Sequence, residues 1–262
     1  MKNYIIPEAS LISEDGSSDG TQKKYFYDGK WFKQNQMGYE GLAEFLASCV
    51  LDCSNVEDFV AYEECLINNK KGCVSANFLG ESEVFYSFDR IHQMYTGARF
   101  LDHTMVLPDV SSRIKYVVEF MMDKIGVDCQ KYLSDIFSLD AFTLNHDRHF
   151  HNLGVVYDTK KNYYRSAPIF DNGAGFLSYT GRYPMNCSIE KNINDVIGQP
   201  LCANLQLQAY YAGISLRLDY ELLTKSYIEV LPPSRGLEVL KYQVEHCSKL
   251  IPEFHKEIVK DR

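Results

Sequence analysis

Nowhere in these 262 residues do 18 apolar residues follow one another, so no segment has the hydropathy of a membrane-spanning helix. The opening residues, Met1 to Glu8, hold no apolar stretch of the length a secretory leader needs. A soluble, cytoplasmic chain is expected; a secreted effector would have to travel without a classical signal peptide. Positive charge is scarce too: 27 Lys and Arg stand against 35 Asp and Glu, a formal net charge of -8. That balance argues against an overall footprint for nucleic acid or for an anionic membrane. Eight cysteines occur without a single Cys-x-x-Cys, Cys49 and Cys53 forming the closest such pair. In a chain of this size they are expected as small buried hydrophobes in a reducing compartment rather than as a disulfide framework. Core material is abundant, at 45% hydrophobic residues, and suits one sizeable unit or two closely packed lobes.

The rest of the chain is organised around Asn145-His146-Asp147-Arg148-His149-Phe150-His151-Asn152, answered downstream by Asp171-Asn172-Gly173. Transfer of a γ-phosphoryl group asks little covalent chemistry of a protein. It needs Mg²⁺ held against the phosphates and a carboxylate beside the attacking hydroxyl. Hard cations take oxygen ligands, which suits Asn152 and Asp171 as the metal pair and leaves Asp147 as the base. In protein kinases a catalytic-loop Asp is followed by the metal-binding Asn and then by Asp-Phe-Gly. The same order stands here, with Asn172 in the place of Phe. His146, His149 and His151 around Asp147 also admit a hydrolase using zinc or iron. That alternative leaves Asn152 and the Asp-x-Gly turn without a role.

Asp147-Arg148-His149-x-x-Asn152 followed by Asp171-x-Gly173 resembles the HipA-like kinases, a family of bacterial Ser/Thr protein kinases. Phosphoinositide kinases carry a similar loop, so the motif does not by itself separate protein from lipid substrates. Gly20-Thr21-Gln22-x-Lys24 is similar to the Gly-Ala-Gln-x-Lys of the family's phosphate loop. The resemblance implies that Gly20, Thr21 and Gln22 close over the nucleotide and that Ser17 or Ser18 is a candidate for autophosphorylation. Phe85-Tyr86-Ser87-Phe88-Asp89-Arg90 resembles the family's hinge, which ends in Phe-Asp-Arg. It implies backbone groups near Tyr86 and Phe88 facing adenine, and Asp89 facing the ribose. ATP and Mg²⁺ as cofactors, a protein substrate and an antitoxin-type partner complete what the resemblance implies. The chain is shorter than a full HipA-type chain and is expected to lack that family's N-terminal domain.

Along the chain, Asp28-Gly29 splits an aromatic run, Lys24 to Lys33, into a predicted hairpin. Lys33 ends its second strand and is placed to reach the phosphates, although an exposed strand-end lysine would look the same. Leu42, Phe45, Leu46, Cys49 and Val50 predict a helix over 39–51. Glu40, near its start, is the favoured partner for Lys33, and Glu44, one turn on, is the alternative. Strand-like pieces at 59–62, 74–79 and 83–88 complete a small antiparallel sheet. Beyond Asp89 the texture is helical. Val110, Ile114, Val117, Met121 and Ile125 repeat at helical spacing between Asp109 and Gly126, and a helix over 128–144 leads into the Asp147 loop. Strands at 154–157 and 163–164 return the chain towards Asp171. Residues 174–182 occupy the place of an activation segment. The alternation of Leu237, Leu240, Val244, Cys247, Ile251, Phe254 and Ile258 predicts a helix kinked near Pro252 and packed on its own lobe, with a dimer seam as the other option. Oligomeric state is left open.

The expected fold is α+β and two-lobed, like a protein kinase, with residues 1–88 forming a small antiparallel-sheet N-lobe and 89–262 a helical C-lobe. The expected activity is ATP- and Mg²⁺-dependent phosphorylation of protein Ser or Thr. A lipid or small-molecule kinase and a nucleotide-binding pseudokinase are the alternatives. Joint retention of Lys33, Asp147, Asn152 and Asp171 argues against the pseudokinase.

Overall fold

A computed structural model describes residues 1–12, 22–247, 249–254 and 256. Ser17, Ser18, Gly20 and Thr21, assigned to the phosphate loop, lie outside the described residues.

The first sheet is built from β1 (Lys2–Tyr4), β2 (Lys24–Tyr27), β3 (Lys30–Gln34), β4 (Tyr62–Ile67) and β5 (Lys70–Ala76), in the order β1-β4-β5-β3-β2. Asp28 and Gly29 both take positive φ at the β2–β3 turn, as a tight hairpin of this twist requires. Asn68 and Asn69 do the same between β4 and β5, at φ 49° and 66°. This second turn was not read from the sequence, so the expected strands at 59–62 and 74–79 are displaced to β4 and β5. Alternation puts Tyr25, Phe32, Cys65, Ile67 and Val74 into one apolar cluster with Ile6. Full burial of each large side chain there contributes about 1.5–3 kcal/mol.

Helix α1 (Glu40–Asp52) lies against this sheet. A Cβ on Gly41 would come within 2.6 Å of the Gly72 backbone, so the helix approaches β5 as closely as glycine allows. Its opposite side enters the main core with Leu46, Ala47, Val50 and Leu51.

The second sheet, of β6 (Glu83–Ser87), β7 (Gly154–Asp158) and β8 (Tyr163–Ser166), corrects an expectation: β6 pairs with β7 rather than extending the first sheet. The Phe85 ring occupies the space a Cβ on Gly154 would need, 2.3 Å away, and this fixes the pairing. Around it pack α2 (Phe88–Thr96), α3 (Phe100–Thr104), α4 (Val110–Ile125), α5 (Gln130–Thr143), α6 (Ile189–Asn194), α7 (Leu205–Ala212), α8 (Tyr220–Leu223) and α9 (Arg235–Cys247). Asp109 caps α4 by accepting the Ser112 N–H, and Gly126 ends the helix in the left-handed region. Helix α5 is buried from Tyr132 to Thr143 and forms the axis of this helical part. Helix α9 ends at Cys247, before Pro252, and packs on α1 and α5, with Gln243 donating to the Phe142 carbonyl. Ile258 lies outside the described residues. Among the described residues no helix is long and apolar enough to cross a membrane.

Candidate active site

Lys33 sits near the end of β3, only 7% exposed, where the close packing of α1 brings a carboxylate to it. Its Nζ donates to Glu44 Oε1 at 2.5 Å and to Asp171 Oδ1 at 2.6 Å. The partner from α1 is therefore Glu44, correcting the preference for Glu40. Glu40 instead turns back over the helix start and accepts the N–H groups of Gln36, Met37 and Gly38. Gly41, Glu44 and Ser48 share the face of α1 nearest the sheet. That stripe of small residues around one acid was the available signal for Glu44. Burial alone would lower the Lys33 pKa, but Asp171 and Glu44 outweigh it and hold the ammonium charged. The two acids share one cation unequally. Burial, against the pull of Lys33, pushes Glu44 up. At Asp171 burial is overcome by Lys33 and then Lys24, which hold the carboxyl well below the usual range.

Helix α5 ends at Leu144, which adopts the left-handed conformation (φ 60°) and turns the chain into the Asp147 loop. Asn145 holds that turn by donating to Asp140 Oδ1. His146 is fixed against the Ala174 carbonyl at 2.9 Å. Asp147 is half-buried, and its carboxylate makes no hydrogen bond among the described residues. Burial, and next the neighbouring Asp171, raises its pKa, as a general base at neutral pH benefits from.

Arg148 is wholly buried and forms a forked ion pair with Asp140. It also donates to the Phe170 carbonyl and to Asn172 Oδ1, each at 2.7 Å. Asp171 lies between those two residues with φ 61°, a left-handed conformation costing about 1–2 kcal/mol for most side chains and tolerated best by Asn and Asp after glycine.

Lys33, Asn152 and Asp171 line one cavity of about 210 Å³, together with Lys24, Trp31, Tyr62, Phe78, Phe85, His151 and Phe170. Lys24 stands directly across from Lys33 in the β2–β3 register, so the two ammonium stems share a face. Asn152 is 5% exposed, and its side-chain amide has no hydrogen-bonding partner among the described residues. An unpartnered amide oxygen and a low-pKa carboxylate in one cavity make an oxygen donor set that fits Mg²⁺. The rings of His149 and His151 meet edge to face at 5.6 Å while His146 turns to the Ala174 carbonyl, and among the described residues no three His, Cys, Asp or Glu side chains gather as a metal cluster.

The residues expected to form the hinge lie at the end of β6 and the start of α2. The Phe88 N–H donates to the Leu153 carbonyl and Tyr86 pairs with Val155, so the backbone groups of Tyr86 and Phe88 are turned to β7. By alternation, those of Phe85 and Ser87 point from the open edge of β6. Phe88 is fully buried, and Asp89 Oδ1 accepts the Phe100 N–H at 2.6 Å while its other oxygen faces His151 at 3.6 Å. Phe85, Ser87, Asp89 and His151 line a second cavity of about 340 Å³ that meets the first at Phe85 and His151. Of the residues expected to form a phosphate loop, Gln22 is described, and its buried Nε2 has no hydrogen-bonding partner among the described residues. In the segment after Gly173, the Ser178 hydroxyl is buried and donates to the Gly173 carbonyl, while Thr180 donates to Met37.

In sequence comparisons no family model and no curated protein matches the chain. Among solved structures, the proinflammatory kinase CtkA of Helicobacter pylori superposes with a TM-score of 0.64 at 15% identity, over 95% of both chains. The chain has a two-lobed, kinase-like fold. In that two-lobed fold the first sheet and α1 face the helical part across the Lys33 cavity. HipA of Shewanella oneidensis, solved with HipB and operator DNA, is a weaker likeness, with a TM-score of 0.46 at 12% identity over 93% of this chain and 66% of that one.

Two predictions arise here. Glu44→Gln is expected to cut phosphotransfer about tenfold or more by loosening Lys33, whereas Glu40→Gln costs stability of about 1–2 kcal/mol and leaves turnover near normal. Steady-state rates and urea midpoints of both variants check this, and equal rates would return the role to Glu40. The second concerns His146, whose pKa is depressed by burial, and next by Arg182, from 6.5 to about 4. An unfolded chain takes up that proton near pH 6.5 and the folded one only near pH 4, so the unfolded state is favoured as pH falls through this window. Stability is expected to drop by about 3 kcal/mol there, and His146→Gln to remove that share of the slope. Urea unfolding at several pH values measures it.

Proposed function

We propose that this chain is an ATP- and Mg²⁺-dependent kinase that phosphorylates Ser or Thr hydroxyls of proteins. The observation that carries the proposal is Asp147, a half-buried carboxylate with no hydrogen bond among the described residues, its pKa raised by burial and next by Asp171, which lines the cavity with Lys33 and Asn152. Lys33, held by Glu44, would bind phosphate oxygens, with Lys24 beside it. Asn152 and Asp171 would hold Mg²⁺, which when bound neutralises charge on those oxygens. The base would lie along the open edge of β6 at Phe85 and Ser87, bringing the ribose near Asp89 and His151. Asp147 orients the acceptor hydroxyl and takes its proton as the oxygen attacks the γ-phosphorus, the bond to the β-phosphate oxygen breaks and ADP leaves. Gly20, Thr21 and Gln22 would close over the phosphates.

The test is incubation of the purified chain with γ-labelled ATP and Mg²⁺, alone and with a cell extract, beside an Asp147→Ala control. Label on protein Ser or Thr, lost in the control, is the expected result. Label confined to lipid or small molecules would overturn the substrate class. No label, with nucleotide still bound, would overturn the activity.

A further inference from the structure

The residue after the metal-site aspartate of a kinase is usually apolar, as in Asp-Phe-Gly. Here it is Asn172, and it is fully buried. Its N–H donates to Glu44 Oε2 at 2.7 Å, and its Oδ1 accepts from Arg148 Nη2 at 2.7 Å. Arg148 also takes the Phe170 carbonyl at 2.7 Å, so the residues on both sides of Asp171 are bound by one guanidinium. That guanidinium is anchored in turn to Asp140, buried in the axis helix α5. Glu44 closes the circuit, because its other oxygen accepts from Lys33, which in turn donates to Asp171. Asp171 is thus clamped from α1, from the Asp147 loop and from β3, in a left-handed conformation that a free loop would leave. All of these bonds join groups of the protein itself.

We propose that Asn172 is a positioning residue which, held by Arg148 and Glu44, keeps Asp171 turned into the cleft whether or not a nucleotide is bound. The polar residue replaces an apolar one that could leave its pocket and carry the aspartate with it. Swinging Asn172 out would leave an N–H of the buried Arg148 guanidinium without its side-chain acceptor, a cost no apolar side chain imposes. The Asp-x-Gly turn of this chain is therefore fixed. The inference rests on reading Asp171 as a metal ligand.

Hydrogen exchange of the segment Phe170–Gly173 in the nucleotide-free protein tests the clamp directly, and Mg²⁺ titration of phosphotransfer tests its consequence. The wild-type amide of Asn172 is expected to exchange slowly without nucleotide and to change little when Mg²⁺ and a non-hydrolysable ATP analogue are added. Asn172→Leu, alike in branching though larger and unable to accept from Arg148, is expected to exchange about tenfold or more faster and to need about tenfold more Mg²⁺ for half-maximal rate. Asn172→Asp keeps the accepting oxygen, and since the Asn172 Nδ2 has no partner among the described residues, it is expected to restore both properties to within about threefold. Fast exchange in the nucleotide-free wild type that nucleotide then suppresses, or unchanged exchange in Asn172→Leu, would overturn the proposal. Should the wild type show the protection, and Asn172→Leu lose it, with no phosphotransfer by either, the clamp stands and the kinase activity falls. Normal phosphotransfer by a wild type whose segment is unprotected would remove the clamp and leave the kinase activity standing.

Discussion

Asp147→Ala is expected to lower phosphotransfer by about 10²–10⁴-fold while leaving nucleotide affinity within about threefold, because the group acts on the acceptor's proton and not on the phosphates. Nothing in the fold leans on this carboxylate: it makes no hydrogen bond among the described residues, and the loop around it is held by Asn145, His146 and Arg148. Removing it should therefore leave the unfolding midpoint near that of the wild type or slightly above it, since a partly buried charge with raised pKa is relieved. The measurement pairs single-turnover labelling with nucleotide titration by calorimetry. A variant that labels its substrate at the wild-type rate would remove Asp147 from the mechanism, whatever its affinity. A variant that loses binding as well would make it a nucleotide ligand instead.

How far the sequence carried depends on what each residue answers to. Asp147, Asn152 and Asp171 stand in the order and spacing of a phosphotransfer loop, so they could be read as a pattern. The structure gathers Asn152 and Asp171 in one cavity with Lys33. Glu44 could not be separated from Glu40 so simply, because they lie one helical turn apart. The choice is made by the contact of Gly41 with Gly72, thirty-one positions along the chain. The backbone groups that β6 leaves unpaired differ by one residue from those expected, for a similar reason. Which backbone groups point outward is decided by pairing with β7, and that strand begins at Gly154. The Asn68-Asn69 turn was passed over because Asn-Asn is a weaker hairpin signal than Asp-Gly, and the missed turn displaced the predicted strands on either side. Arg148 showed in the motif, yet its work, tying Asp140 to Phe170 and Asn172, is visible only once α5 and the Asp-x-Gly turn are side by side.

Asp171→Asn should separate metal binding from everything else this residue touches. Alanine is the poorer test, since the left-handed φ of 61° would itself be strained by it, whereas asparagine accepts that conformation at little cost. The substitution keeps the shape and one accepting oxygen for Lys33 but removes the negative charge that would face Mg²⁺. Phosphotransfer is expected to fall about 10³-fold or more at ordinary Mg²⁺, with the metal requirement raised and nucleotide affinity in the absence of metal little changed. The fold should survive, because Lys33 keeps Glu44, and Glu44, pushed up in part by Asp171, becomes the more acidic once that neighbour is neutral. The pH dependence carries a second signature. A carboxyl held below its unfolded value contributes stability that is present above the ordinary carboxylate range and lost as pH falls through the folded value, so the wild type should weaken on acidification more than Asp171→Asn does. Urea unfolding at neutral and acidic pH, set beside Mg²⁺ titrations of the rate, reads both. A variant with an unaltered Mg²⁺ requirement would leave Asp171 as a structural counter-ion of Lys33 and move the metal site away from the Asp-x-Gly turn.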